Sequence, residues 1–199
     1  MANLFIILFH IFFPGSKIFL PLDLPNRHSI DNLKLTEIGN FGLLRKERKN
    51  IPAHLHTGID IKRPHENYSD EPIFPIAKGM VLSKRTDGPY AQLIIEHDFN
   101  GKYFWTAYEH IADISVKAGD LVDPFMQIAR FMNREELNKY GWQFDHFHFE
   151  IIKVKPQPLS SGPLHPERFY KSFTLECFSE QDLEKYFFDP LEFFRENLK

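Results

Sequence analysis

A single cysteine, Cys177, occurs in the 199 residues, and its isolation limits the chemistry that the chain can support. One thiol cannot form an intramolecular disulfide, and it cannot build a thiolate metal cluster. A lone cysteine usually behaves as a small hydrophobic side chain, so we interpret Cys177 as a buried residue of the core.

The chain also lacks an excess of basic residues. Lys and Arg total 24 against 27 Asp and Glu, giving a formal net charge of −3 and a pI near 6.4. A nucleic-acid-binding protein normally carries a basic stripe or patch, so we expect no nucleic acid partner. With 43% hydrophobic residues and no internal repeat, the sequence suits one domain with extensions, and we expect a monomer.

No apolar run reaches the length of about 20 residues that crosses a bilayer, so we expect no stable membrane span. Residues 4–13 form an apolar run of the size found in export signals. Neither Lys nor Arg precedes this run, and no small-x-small cleavage site follows it. We interpret residues 1–16 as a signal segment and expect an extracytoplasmic location. A buried first strand and a reading frame started late are the alternatives.

Short apolar stretches separated by turn residues predict β-structure from Ile51 onward. Thr86-Asp-Gly88 and Phe99-Asn-Gly101 are typical hairpin turns. The sequence therefore predicts a mainly β fold, an antiparallel sandwich or half-open barrel with an open groove. The predicted strands are Gly58–Lys62, Met80–Lys84, Gln92–Glu96, Tyr103–Glu109, Ser115–Lys117, Gln127–Arg130 and Gln143–Lys153.

Helical signals occur at three places. Asn133–Asn138 is the one helical turn predicted inside the β region, and Ser179 and Asp189 start two short helices near the C-terminus. We divide the chain into a lead-in segment (17–37), a β domain (38–153) and a C-terminal extension rich in proline at its start (154–199).

Histidine and aspartate recur at spacings that suit a metal site. His56 lies four residues before Asp60, and His146-Phe-His148 alternates with Phe147, Phe149 and Ile151, so both histidines share one strand face. Three such ligands plus one open position make a catalytic zinc site. Spacing alone leaves His54 as an alternative to His56.

These residues form a pattern that resembles the LytM/lysostaphin-type zinc metallopeptidases of bacterial cell walls. The pattern consists of His56-x-x-x-Asp60, then Tyr108-Glu-His110-Ile111, then His146-Phe-His148-Phe-Glu-Ile151. Ile111 stands where Leu is usual. The resemblance covers about Ile38 to Ile152, and three weak motifs in the right order make a specific one.

The resemblance implies the role of each residue. His56, Asp60 and His148 would bind Zn²⁺, with His56 preferred to His54, while His110 and His146 would be catalytic residues beside the open position. We assign His146 as the general base and His110 as the group that steadies the oxyanion and the leaving amine, although the two roles are interchangeable on the sequence alone. Tyr108 would either contact substrate or fill the interior.

The implied function is a zinc endopeptidase acting on peptidoglycan peptides in an open cleft. We expect the cleft to be bordered by residues 45–50, 64–72 and 133–140. A non-catalytic peptidoglycan-binding or hydrolase-activating member of the fold is the alternative, but such members characteristically lose ligands. A biotinyl- or lipoyl-like carrier would need an exposed Lys preceded by Met in a tight turn, and none stands out.

Overall fold

The computed structural model describes residues 17–86, 88–99 and 101–198, so the predicted signal segment lies outside the described residues. The fold is mainly β, with three short helices, and among the described residues the sheets form no closed barrel. The strands are β1 (Leu44–Arg45), β2 (His54–Leu55), β3 (Ile59–Lys62), β4 (Pro72–Ile73), β5 (Gly79–Arg85), β6 (Gln92–Phe99), β7 (Lys102–Glu109), β8 (Ile111–Ala112), β9 (Leu121–Val122), β10 (Ala129–Phe131), β11 (His146–Ile152), β12 (Gln157–Pro158), β13 (Tyr170–Lys171) and β14 (Phe187–Phe188).

The helices are α1 (Arg134–Tyr140), α2 (Glu180–Tyr186) and α3 (Pro190–Asn197). Asn133 and Ser179 cap α1 and α2 through capping boxes, and Asp189 caps α3 with Pro190 at its start. These caps satisfy backbone N–H groups that have no partner within the helix. The three predicted helix starts are therefore confirmed. In the described part of the chain, no helix has both the length and the apolar character needed to span a membrane.

One seven-stranded antiparallel sheet organises the molecule, in the order β14-β11-β7-β6-β5-β9 with β3 also paired to β11. The β6–β7 hairpin turns next to Gly101, whose φ of 79° is accessible to glycine at low cost. Strands β7 and β11 lie at the centre of this sheet, so their alternating side chains determine what each face of the sheet presents.

The two faces of this sheet differ. One face carries Tyr108, Phe147, Phe149 and Ile151 into the main core, where all four are fully buried. On the other face, a smaller apolar cluster covers one end of β7 and β11. That cluster joins Trp105, Ala107 and Ile152 of the sheet to residues of the C-terminal extension: Phe173, Cys177, Leu183 and Phe187. The predicted burial of Cys177 is confirmed.

The lead-in segment belongs to the same core. Ile18, Leu20 and Leu22 are fully buried, and Leu35 forms an isolated bridge to Ile61. The division at residues 37 and 153 stays a prediction.

One predicted strand is absent, and two begin at least two residues later than predicted. Ser115–Lys117 is a loop, because the Lys117 N–H bonds Asp120 Oδ2 in a turn and β9 pairs with β5 in its place. The strand predicted at Gln127 begins at Ala129, and the one predicted at Gln143 begins at His146. The later start of β11 follows from a 3₁₀ turn at Trp142–Phe144.

Candidate metal centre

Three buried side chains converge where β3 meets β11. The antiparallel register sets Asp60 directly opposite His148, and His56 lies just before β3. His56 Nε2 is 3.0 Å from Asp60 Oδ1 and 2.9 Å from His148 Nδ1, and His148 Nδ1 is 3.1 Å from the same carboxylate oxygen. Three ligand-type atoms therefore form a compact triangle.

Each histidine of this triangle is oriented by a hydrogen bond from its other ring nitrogen. His56 Nδ1 lies 2.8 Å from the Asn40 carbonyl, and His148 Nε2 lies 3.1 Å from Glu150 Oε1. A carbonyl oxygen can only accept, so His56 carries its proton on Nδ1 and presents Nε2 to the triangle. Outer partners of this kind fix ring orientation in zinc sites.

At Gly58, the chain between His56 and Asp60 passes very close to the backbone of β11. A Cβ at this position would lie 2.2 Å from the Phe149 carbonyl oxygen. The chain between His56 and Asp60 can therefore lie against β11 only because residue 58 lacks a side chain.

The donor chemistry fits zinc. Two imidazole nitrogens and one carboxylate oxygen are the ligand set of many catalytic zinc sites, and bonds of about 2.0–2.1 Å place such ligands a little over 3 Å apart. His56, Asp60 and His148 are each about 5% exposed, so they are shielded from bulk water. Together the three form a group capable of holding a metal ion.

The charge distribution also suits a cation. Burial opposes ionisation of Asp60, but hydrogen bonds with His148 and His56 lower its pKa overall. Arg45 donates to Asp60 Oδ2 at 2.6 Å, which leaves Oδ1 facing the histidines. Burial also opposes charge on His148, yet its bonds to Asp60 and Glu150 raise its pKa to about 10. Desolvation lowers the pKa of His56.

His146 and His110 flank the triangle without joining it. His146 Nε2 lies 3.8 Å from Asp60 Oδ1, and the ring centroids of His146 and His110 are 5.3 Å apart. His110 Nδ1 lies 2.5 Å from the Pro89 carbonyl oxygen. Burial lowers the pKa of each of the two imidazoles to about 4, so both are neutral at pH 7.

His110 reaches this position through its backbone. Its φ of 63° is left-handed, which ends the regular alternation of β7. Strand alternation alone would place Tyr108 on the same face as His110. Tyr108 lies instead in the core, where its hydroxyl accepts a hydrogen bond from the Ile76 N–H. Of the two interpretations of Tyr108, the interior one is correct.

His54 is also buried, but it does not belong to the triangle. Its Nδ1 lies 2.8 Å from the Pro52 carbonyl. It pairs with Arg45 between β1 and β2 and lines the wall of the surrounding groove.

The triangle lies in a groove of about 900 Å³. Arg45, Lys46 and Arg48 border it, as predicted for the segment 45–50. The other two predicted borders, 64–72 and 133–140, are wrong, since no residue of either lines the groove. Gln143 and Phe144 of the 3₁₀ turn border it instead, together with residues of the C-terminal extension: Arg168, Lys171, Ser172, Thr174, Leu175 and Glu176.

The sequence profile of Peptidase family M23 matches residues 54–161, more than half of the chain. The chain belongs to Peptidase family M23. The match contains His56, Asp60, His110, His146 and His148, and the family predicted from the sequence is confirmed.

Two solved structures are similar to this M23 chain. A zinc-containing peptidase from Vibrio cholerae is 26% identical, with a TM-score of 0.45 over 68% of this chain and 37% of that one. Lysostaphin is 18% identical, with a TM-score of 0.49 over 83% of this chain and 51% of that one. The chain thus spans about a third to a half of these proteins. A search of curated proteins finds no match.

Two acidic residues of the M23 site were missed in the sequence. Glu109 faces His148 across the β7–β11 pair and lines the groove, and burial raises its pKa to about 7. Glu150 lies beneath His148 and is fully buried. Strand alternation was the available signal for both, because Trp105, Ala107 and Glu109 share one face of β7, and His148 and Glu150 share one face of β11.

Proposed function

We propose that the chain is a zinc-dependent endopeptidase that cleaves peptide bonds in peptidoglycan stem peptides or cross-links. The observation that carries the proposal is the buried triangle of His56 Nε2, Asp60 Oδ1 and His148 Nδ1 within an M23 chain. These three residues would hold the metal. When bound, zinc lowers the pKa of water and polarises a carbonyl group.

The two flanking histidines are suited to moving protons. His110 donates Nδ1–H to the Pro89 carbonyl, so its neutral ring presents an unprotonated Nε2. A lone pair on Nε2 can accept a proton but cannot donate one. This contact supports His110, rather than His146, as the general base. The two roles that the sequence left interchangeable are therefore exchanged in our proposal.

His146 then takes the other role. Its imidazole lies beside Asp60 and is neutral at pH 7. A neutral ring with its proton on the nitrogen that faces substrate would donate a hydrogen bond to the developing oxyanion, while the proton that His110 accepts would pass to the leaving amine.

The groove supports a peptide of extended, anionic character. It has a volume of about 900 Å³ and is lined by residues of β1, of the metal centre and of the C-terminal extension, which suits a ligand larger than a single amino acid. Lys46 and Arg48, both exposed on one border, favour a substrate with free carboxylates. We therefore favour diaminopimelate-containing links over glycine bridges, and we propose an extracytoplasmic location, where such substrates occur.

The test is hydrolysis of purified peptidoglycan of each type. The full chain is incubated with diaminopimelate-type and glycine-bridged material, and released fragments are identified by mass spectrometry. We expect cleavage of a peptide bond that stops after chelation and resumes with added zinc. His28→Ala provides a control, because His28 is an exposed histidine that does not line the groove.

The non-catalytic alternative makes a different prediction. A protein that binds zinc with one ion per chain, yet cleaves neither kind of peptidoglycan, would favour a binding or hydrolase-activating role. Cleavage that persists in metal-free protein would contradict the zinc mechanism itself.

A further inference from the structure

The C-terminal extension continues beyond residue 161, where the family match ends, and returns to the metal centre. Residues 172–176 lie between β13 and α2, and Ser172 and Thr174 line the groove. These residues contact the sheet at the boundary between its polar site residues and the apolar cluster around Trp105 and Ile152.

Their side chains contact the carboxylate of Glu150. Ser172 Oγ donates to Glu150 Oε2 at 2.5 Å, and Thr174 Oγ1 donates to Oε1 at 2.8 Å. Thr57 Oγ1 donates to Oε1 at 2.5 Å, and His148 Nε2 lies 3.1 Å from the same oxygen. A fully buried carboxylate is costly unless such donors surround it, and here the extension supplies two of them.

The segment that supplies these hydroxyls is itself held by packing. Phe173, between them, stacks on Tyr186 with ring centroids 4.2 Å apart. The Cys177 carbonyl accepts a hydrogen bond of 2.8 Å from the Leu55 N–H, one residue before His56. The hydroxyl groups are therefore placed by a core cluster and a backbone contact to β2.

We propose that Ser172 and Thr174 are positioning residues of the metal centre. They hold Glu150, Glu150 holds His148 by its Nε2–H, and His148 Nδ1 is thereby directed toward His56 and Asp60. The inference rests on the proposed zinc function. It makes the C-terminal extension a part of the site, although this part lies outside the family match.

The test compares zinc affinity between matched variants by competition with a chromophoric chelator. Ser172→Ala/Thr174→Val removes both hydroxyls at nearly constant volume and should weaken zinc binding by up to roughly 10–100-fold, the usual effect of losing the direct partner of a metal ligand, which here is Glu150. Thr174→Ser, in a chain that keeps Ser172, retains both hydroxyl groups. This variant should bind zinc nearly as tightly as the wild type.

The control is Thr106→Val. Thr106 is fully buried and lies 2.8 Å from His97 Nε2, so this change also removes a buried hydroxyl bonded to a histidine, but away from the centre. We expect it to lower thermal stability without weakening zinc binding. Thermal melting of each metal-free variant checks that the protein is folded at the assay temperature. If the double variant is unfolded, zinc affinity is measured on each single variant instead.

Zinc affinity does not require peptidase activity, so the two proposals fail separately. Wild-type affinity in a folded double variant, or in both single variants, would overturn the positioning role while leaving the peptidase proposal intact. Zinc binding that weakens as expected in a protein that cleaves no peptide would overturn the peptidase proposal alone. A wild-type chain that binds no zinc would overturn both.

Discussion

Replacing His146 and His148 one at a time should separate proton transfer from metal binding. His148 Nδ1 belongs to the triangle, at 2.9 Å from His56 Nε2 and 3.1 Å from Asp60 Oδ1, whereas His146 Nε2 is 3.8 Å from Asp60 Oδ1. His148→Ala removes one of the three proposed ligands and should weaken zinc binding by more than the roughly 10–100-fold cost of losing an outer partner.

His146→Ala should leave zinc bound and reduce turnover. A positioned acid–base or hydrogen-bonding group typically contributes on the order of 10²–10⁴-fold to rate, and we expect a loss in this range. Zinc content by mass spectrometry and peptidoglycan hydrolysis are measured on the same preparations.

The pair controls for damage to the fold. The two side chains lie on one face of β11, and they are 14% and 7% exposed, so each substitution disturbs a similarly buried position. Zinc retained in His148→Ala but lost in His146→Ala would reverse the assigned roles, and full turnover in His146→Ala would refute its part in catalysis.

Three further predictions concern the scaffold. His97 is fully buried, and burial lowers its pKa to about 4, below the usual 6.5. The folded state should therefore lose up to about 3 kcal/mol of stability as pH falls from 6.5 to 4. Chemical denaturation should show a smaller loss in His97→Gln, and a pH dependence equal to that of the wild type would contradict this. Gly58→Ala should impair zinc binding because its Cβ would clash with the Phe149 carbonyl, and normal affinity in this variant would show that β3 can shift freely. Tyr108→Phe should cost about 1–3 kcal/mol in thermal or urea unfolding, since the Ile76 N–H loses its acceptor, while kcat stays unchanged; a large drop in kcat would restore a substrate role for Tyr108.

Strand periodicity predicted much of the site. The two-residue repeat from His146 to Ile151 placed both histidines on one face and the aromatic residues on the other, and the structure has this arrangement. A pattern of this kind is local, and it follows directly from the geometry of an extended chain.

The remaining features depend on contacts that no local pattern contains. The left-handed backbone of His110 separates it from Tyr108 and could not be read from alternation. Ser172 and Thr174 meet Glu150 only because the apolar cluster folds the extension back onto the sheet. For the same reason, the sequence predicted groove borders only from segments near the motifs. In the structure, the C-terminal extension supplies one border.

Anomalous diffraction at the zinc absorption edge from crystals of the zinc-loaded protein tests the central claim most directly. We predict one strong peak per chain, at roughly 2.0–2.1 Å from His56 Nε2 and His148 Nδ1 and at about 2.0–2.2 Å from Asp60 Oδ1. A peak coordinated by His54 or His146 in place of these atoms, or no peak within the triangle, would contradict it.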